Sequence, residues 1–529
     1  MTIPTENADF LDGNDNSNFI NGLGGDDFIS GLGAHDVLFG EEGDDILVGG
    51  RGDDKLNGGN GIDTANYNDA AFAIAADLTA GTVTLNANGM PEVDTLLNIE
   101  NITGGGGGDF IVGDAEANVI RGMGSSDDIR GMAGNDSLFG GDGNDNLNGG
   151  LGADALQGGD GFDTVFYSTS TSGVTINLIT GLGFGGDAKG DTLFGIEGVV
   201  GSFFDDIITG DNGVNDLLGS TGNDNIHGAG GDDNIFGNEG ADQLDGGDGI
   251  DQASYTFSSA GVNIDFLTGI GSGGDAGGDT LSGFENILGS HFTDTLLGDG
   301  GANEFIGGSG DDTLIGRGGA DSLDGSDGKD IVDGGTGNDS IHYDHSSSGV
   351  QVDFVKNTAA GGDAAGDTIS NIENIFGSEF ADSLWTNGLN NHIFGHGGSD
   401  TLNGRGGDDY FDGGLGQDIM TGGTGKDGFS FFTLVESGTT SLTRDLITDF
   451  ELGIDKIFLA AIDANSGVFD DQAFTFVGSN AFSGSKGVLR EFFASGNTIL
   501  EGDVNGDKIA DFQIEFTGHL TFAVGDFVL

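Results

Sequence analysis

In five stretches of this chain an aspartate or asparagine recurs every nine residues, and an apolar residue stands two positions after each one. Residues 131–165 show the unit most plainly. They read GMAGNDSLF, GGDGNDNLN, GGLGADALQ and GGDGFDTV, and each fits G-G-x-G-x-D-x-U-x with U apolar and usually large. Glycines allow the positive-φ backbone of a tight turn, the aspartate places a hard oxygen at the end of that turn, and x-U-x makes a very short strand. Two units then make one coil. Stacked coils line the U residues up inside, while carboxylates and glycine carbonyls of successive turns face one another along each edge. An all-oxygen cage of this kind is what Ca²⁺ prefers.

The five blocks share one design. The first holds Asp9, Asn18, Asp27, Asp36, Asp45, Asp54 and Asp63, and the second Asp109, Asn118, Asp127, Asp136, Asp145, Asp154 and Asp163. The third holds Asp206, Asn215, Asp224, Asp233, Asp242 and Asp251, the fourth Asp294, Asn303, Asp312, Asp321, Asp330 and Asp339, and the fifth Asp382, Asn391, Asp400, Asp409, Asp418 and Asp427. All these aspartates except Asp9 and Asp109 are candidate calcium ligands. The second unit of every block carries Asn, which brings one neutral acceptor oxygen where Asp brings an anion. Those rungs are expected to begin a stack without a full calcium site, weaker ligation by the amide being the alternative.

These repeats resemble the RTX (hemolysin-type) calcium-binding family, whose parallel β-roll binds calcium between turns. The resemblance implies an all-β chain, an elongated β-roll or β-solenoid over residues 1–429, with nonapeptide blocks at about 9–65, 109–165, 206–253, 294–341 and 382–429.

The spacers between blocks also repeat. GVTINL at Gly173, GVNIDF at Gly261 and GVQVDF at Gly349 are followed by GGDAKGDTL, GGDAGGDTL and GGDAAGDTI, with a super-period of 88 residues. Their apolar/polar alternation predicts half-buried strands, hence wider coils of the same solenoid and not flexible linkers. Asp187, Asp191, Asp275, Asp279, Asp363 and Asp367 in their Gly-rich turns are candidates for further ions.

After Asp427 the period stops. Residues 430–529 are richer in Phe, Ile and Leu and read as an antiparallel β cap, which the open end of a solenoid needs. DLITDFELGIDKI, AFSGSKGVLR, GDVNGDKIADF and the terminal DFVL resemble the C-terminal domain of serralysin-type secreted proteins, where the last residues form an uncleaved signal for type I export. DVNGDKIAD at Asp503 spaces its acids like a Ca²⁺ loop. Lys508 stands where an EF-hand loop wants Gly, however, and Ile514 where it wants Glu, so a β-turn is the favoured reading.

Composition agrees with a cation-dependent fold. The 529 residues include 109 Gly and 88 Asp plus Glu against 15 Lys plus Arg, with two Pro, no Cys and a formal charge of −73. Such a chain buries too little apolar surface to fold unaided. The charge excludes nucleic acid as a partner, and would repel an anionic membrane unless calcium bridged the two. No disulfide framework is possible. MTIPTENADFL has neither the basic nor the apolar region of a conventional signal peptide, and no run of about 18 apolar residues predicts a transmembrane helix.

Catalytic signatures are missing. H-E-x-x-H is absent, so the zinc site of the serralysin proteases does not carry over, and there is no G-x-S-x-G and no thiol. His342 and His345 in HYDH are the closest His pair, and on a strand their spacing would set them on opposite faces, against a metal site. The carboxylates are the period of the fold, whereas a catalytic pair would be an exception to it. Only eight residues precede the first repeat carboxylate, too few for a catalytic domain.

If units n and n+2 share an ion, the blocks provide roughly 22 calcium sites. Filling them would cancel on the order of 44 charges. The sequence thus predicts a secreted, non-catalytic calcium-binding protein. It would cross a type I exporter unfolded, fold on extracellular calcium, and act as a cell-surface, matrix or adhesive component. Anionic polysaccharide, a cell surface or another copy of the chain are the partners its acidic face suits. The alternative is a secreted RTX enzyme or toxin of protease, lipase or epimerase type whose effector part is not recognisable.

Overall fold

A glycine-rich turn after every three-residue strand leaves the chain one economical course, a coil of two strands and two turns that returns to its start after 18 residues. A computed structural model describes residues 4–87, 90–465 and 472–529, apart from the side chains of residues 86, 87 and 90, and follows that course. It contains strands, turns and a few short 3₁₀ segments, and no α-helix among the described residues. The chain divides into two compact units, residues 1–254 with 275–284 and residues 255–274 with 285–529.

In the first unit, strands Phe10–Asn14, Phe28–Leu32 and Ile46–Val48 stack in parallel on one side, and Phe19–Gly24, Val37–Glu42 and Lys55–Asn60 on the other. The register advances by one coil at each step. Leu11 pairs with Ile29 and Ile29 with Leu47 on one side, and Ile20 with Leu38 and Leu38 with Leu56 on the other. Alternation points one side chain of each x-U-x triplet inward, and Ile29, Leu38 and Leu47 have no exposed surface. The second block repeats this arrangement through Leu138, Leu147 and Leu156, and the third through Ile226, Ile235 and Leu244.

The spacers are coils of the same roll. Ala65 of strand Thr64–Asn66 pairs in parallel with Ile102, and Leu156 pairs with Leu193, so some 37 residues replace the usual 18 in one turn. The surplus is taken up by antiparallel hairpins, Ile74–Asp77 with Thr82–Ala87 and Thr175–Asn177 with Leu182–Phe184. Their first strands still pair in parallel with the next block.

In the second unit one column of inward residues runs Ile287, Phe305, Leu323, Ile341, Ile375, Ile393, Phe411, Phe429, Ile457 and Phe527. Parallel pairing therefore continues past residue 429. Strand Lys456–Phe458 pairs with Gly428–Ser430, and Leu446–Ile447 with Ile419–Thr421. The antiparallel part of the cap is the sheet Val488–Ala494, Asn497–Asp503 and Phe512–Phe516. It joins the roll through the parallel contact of Ile447 with Phe516. Phe450, Phe516, Phe522 and Phe527 close the end of the core with ring centroids 4.9–5.5 Å apart.

Candidate metal centres

Because one coil within a block is 18 residues, each repeat aspartate except the last two of a block lies directly over the one two units later. Its own N–H donates to Oδ1 of that residue, as from Asp27 to Asp45 (2.7 Å), Asp45 to Asp63 (2.8 Å), Asp127 to Asp145 (2.8 Å) and Asp312 to Asp330 (2.8 Å). Each carboxylate thus spends one oxygen on the backbone of the coil before.

The other oxygen has no such partner. Oδ2 of Asp27, Asp36, Asp45, Asp54 and Asp63 is buried without a hydrogen bond, and the same is true at Asp127, Asp136, Asp145, Asp154, Asp163, Asp224, Asp233 and Asp242. In the second unit it holds at Asp312, Asp321, Asp330, Asp339, Asp400, Asp409 and Asp418. A glycine five residues earlier makes room for it. A Cβ on Gly40 would fall within 3.0 Å of both Asp45 Oδ2 and Gly58 O, and one on Gly140 would meet Asp145 Oδ2 and Gly158 O in the same way. A carboxylate oxygen and a peptide oxygen therefore converge over a bare Cα. Asp251 and Asp427 have the same glycine, Gly246 and Gly422.

Burial raises the pKa of these acids, and neighbouring carboxylates add to the effect. The values reach about 6 at Asp45, about 7 at Asp54, Asp127 and Asp224, about 8 at Asp330 and about 9 at Asp400. A buried anion without a counter-charge is costly. The donor set, buried carboxylate oxygens without a partner beside peptide carbonyl oxygens, fits a hard divalent cation such as calcium.

Other acids of the same rows are already satisfied. Asp206, Asp294 and Asp382 accept the N–H of Ser202, Ser290 and Ser378 at Oδ2, each at 2.6 Å, and the serine hydroxyls at Oδ1, each at 2.8 Å. Asn118, Asn215, Asn303 and Asn391 turn their amide N–H toward a carbonyl one coil back, on Glu100, Glu197, Glu285 and Glu373. Neutral donor groups thus open these rows.

One row of the first, second and fourth blocks closes on an aspartate–tyrosine pair that the nine-residue period does not reveal. Asp94, Asp191 and Asp367 take Oδ1 bonds from Asp54, Asp154 and Asp330 at 2.9 Å. Their Oδ2 atoms accept the hydroxyls of Tyr67 (3.0 Å), Tyr167 (3.1 Å) and Tyr343 (2.9 Å). Burial and the adjacent carboxylates hold those tyrosines well above their ordinary pKa, so they remain donors. Each stands four residues after the last aspartate of its block, in DTANY, DTVFY and DSIHY, a signal readable in the sequence. In the fifth block that position is Phe431. Its N–H bonds to Phe458 O as those of Tyr67, Tyr167 and Tyr343 bond to Thr103, Val200 and Phe376. Asp445 takes the Oδ1 bond from Asp418 (2.9 Å), but its Oδ2 is buried and unpartnered, and burial, with the charge of Asp418, raises its pKa to about 9. Asp445 lies outside every nonapeptide and joins the orphaned carboxylates only through the fold.

Of the spacer acids, Asp187 and Asp363 sit in 3₁₀ turns anchored by N–H bonds to Ser170 and Ser346, and Asp279 Oδ1 accepts Asp242 N–H at 2.8 Å. At Asp503 the acids are consumed within a loop of bends. Asp503 accepts Gly506 and Lys508 N–H, and Asp511 accepts Val504 N–H. HYDH does not lie along one strand, because strand Ser340–His342 ends at its first residue and His345 lies in the turn beyond.

No helix among the described residues is long and apolar enough to cross a membrane. None of the curated proteins compared with the chain matches it. Among solved structures it is similar to two subunits of the mannuronan C5-epimerase of Azotobacter vinelandii. The solution structure of AlgE6R3 is 26% identical over 28% of this chain and 79% of that one, with a TM-score of 0.22. That of AlgE6R2 is 26% identical over 30% of this chain and 92% of that one, again with a TM-score of 0.22. The family model described as the RTX calcium-binding nonapeptide repeat matches in overlapping copies across residues 5–65, 103–165, 194–253, 281–341 and 369–428. These matches cover more than half of the sequence and coincide with the five blocks of glycine-cradled aspartates, and the chain belongs to the RTX calcium-binding nonapeptide repeat family.

Proposed function

We propose that this chain is a secreted, non-catalytic calcium-binding protein that folds on meeting extracellular calcium and then serves as a cell-surface, matrix or adhesive component. The observation that carries this reading is the row of buried Oδ2 atoms without a donor, repeated at each interior rung. Calcium supplies the missing counter-charge when bound. The aspartates would bind it with the carbonyls of the cradling turns, and their Oδ1 bonds keep the carboxylates oriented. Asp445 joins the ligands, whereas Asp206, Asp294 and Asp382 serve as donor-satisfied row starts.

Calcium sites of extracellular modules have dissociation constants of about 10⁻⁴ to 10⁻³ M, far above free cytosolic calcium. The chain therefore stays unfolded inside the cell, passes a type I exporter, and folds outside. Few prolines and no cysteines suit that route, since neither isomerisation nor disulfide formation delays folding. The net charge of −73 leaves an acidic surface after metal binding, suited to calcium-bridged contact with anionic polysaccharide or with further copies.

Circular dichroism and light scattering, recorded together while calcium is added to the metal-free protein, test the reading. Cooperative gain of β structure is expected, with stable size for a soluble binder or ordered growth for a self-assembling layer. Equal β content in EDTA and in millimolar calcium would overturn it. Turnover of casein, alginate or an ester by the calcium-loaded chain would remove the non-catalytic part.

A further inference from the structure

The coil that carries HYDH holds a cluster unlike the calcium rows. Strand Ser340–His342 stacks in parallel on Ser322–Asp324, with Ser340 opposite Ser322, which sets Asp324 one coil below His342. The turn after the strand then carries Asp344 and His345 to the same place. His345 Nδ1 lies 3.7 Å from Asp324 Oδ2 and 3.6 Å from Asp344 Oδ1, and His342 Nδ1 lies 3.7 Å from the same Asp344 oxygen.

These separations exceed hydrogen-bond length and are near the edge, about 3.4 Å, of a tetrahedron of ligands bound to zinc at about 2.0–2.1 Å. Asp344 Oδ1 is buried and accepts no hydrogen bond. The surroundings orient Asp324 and His342. Ser326 donates its N–H (2.7 Å) and hydroxyl (3.1 Å) to Asp324 Oδ1, leaving Oδ2 for His345. The His342 ring stacks on Phe376 at 4.3 Å, and its Nε2 is 3.1 Å from Ser322 Oγ, the kind of outer contact that orients a ligating or neighbouring imidazole. The equivalent stretches ANYND, VFYST and ASYTF contain no His, so the cluster is not repeated in those three coils.

We propose that Asp324, Asp344 and His345 bind one transition-metal cation of the zinc class, with His342 beside them. Calcium takes six to eight oxygens, whereas a mixed carboxylate and imidazole set suits a borderline cation. The site is therefore selective against the ion that fills the rows.

The test is calorimetric titration of Zn²⁺ into the full-length chain already saturated with calcium, paralleled by Co²⁺ and its visible absorption. One site per chain is expected, retained in excess calcium, with the strong visible bands of tetrahedral Co²⁺. His345→Ala and Asp344→Asn should each weaken it by at least about tenfold. His345 is 82% exposed at its side chain, so its removal leaves the roll intact, which dichroism in calcium verifies. His227→Ala, at a different His–Asp pair, should change nothing. Absence of zinc binding, its displacement by calcium, or equal binding by the His345→Ala chain would overturn the proposal.

Discussion

A single hydroxyl separates a row that closes on itself from one that does not. Tyr67, Tyr167 and Tyr343 donate to the last carboxylate of their rows, whereas Phe431 leaves Asp445 Oδ2 bare. Phe431→Tyr is expected to supply that donor, lower the calcium stoichiometry by one site and lessen calcium dependence at the cap, as read by calorimetry. Tyr167→Phe does the reverse. With Asp191 Oδ2 left unsatisfied the roll should lose about 1–3 kcal/mol in chemical denaturation at fixed calcium. The cradle is as local. Gly40→Ala places a methyl group against Asp45 Oδ2 and Gly58 O, and is expected to cost one calcium site and about 1–3 kcal/mol.

Along each block the carboxylates make a ladder in which an aspartate N–H is spent on a carboxylate oxygen of the next coil, so that protons and cations compete for what remains. Burial sets the interior acids between about 6 and about 9 at Asp45, Asp54, Asp330 and Asp400, against about 4 in an unfolded chain. The folded metal-free roll thus holds protons that the unfolded chain has released. Its stability is greatest near pH 4 and falls as pH rises toward 7–9. In EDTA, dichroism should show β structure appearing on acidification and vanishing at neutral pH, whereas with millimolar calcium it should persist at pH 7.5. Calcium binding near pH 7 should release protons into a weakly buffered solution. Arginine plays the cation's part elsewhere. Burial raises the pKa of Asp353, yet bonds from Lys356 and Arg405 outweigh it and hold the carboxyl at about 2. Asp265 and Arg317 repeat the pair one super-period earlier.

For the molecule as a whole, folding and export are expected to exclude each other. Asp526 accepts the N–H groups of Gly453 and Ala523, and Phe527 pairs with Ile457, so the DFVL tail that resembles an export signal is mostly built into the folded cap. On the proposed type I route, a chain folded in calcium beforehand should not be transported, while one held in EDTA should. Secretion measured from inside-out vesicles at the two calcium levels checks this.

By itself the sequence determined the repeat. Nine-residue spacing fixes 18-residue coils, and the apolar residue two positions after each aspartate fixes which side chains point inward, because strand alternation allows no other face. Asp27, Asp127 and Asp312 were therefore legible as candidate ligands. The spacers were legible as strands, since GVTINL and its counterparts alternate. Only the tertiary structure decided which oxygens are left over. That depends on donors distant in sequence, such as Tyr167 against Asp191, or on their absence, as at Asp445 beside Asp418. It also depends on coils crossing at one point, as when Asp324 meets His345. A period specifies backbone geometry. Whether a buried carboxylate needs a cation is a matter of what lies within hydrogen-bond reach, and in a roll that is set largely by a neighbouring coil, 24 residues away for Tyr167 and Asp191 and 27 for Asp418 and Asp445.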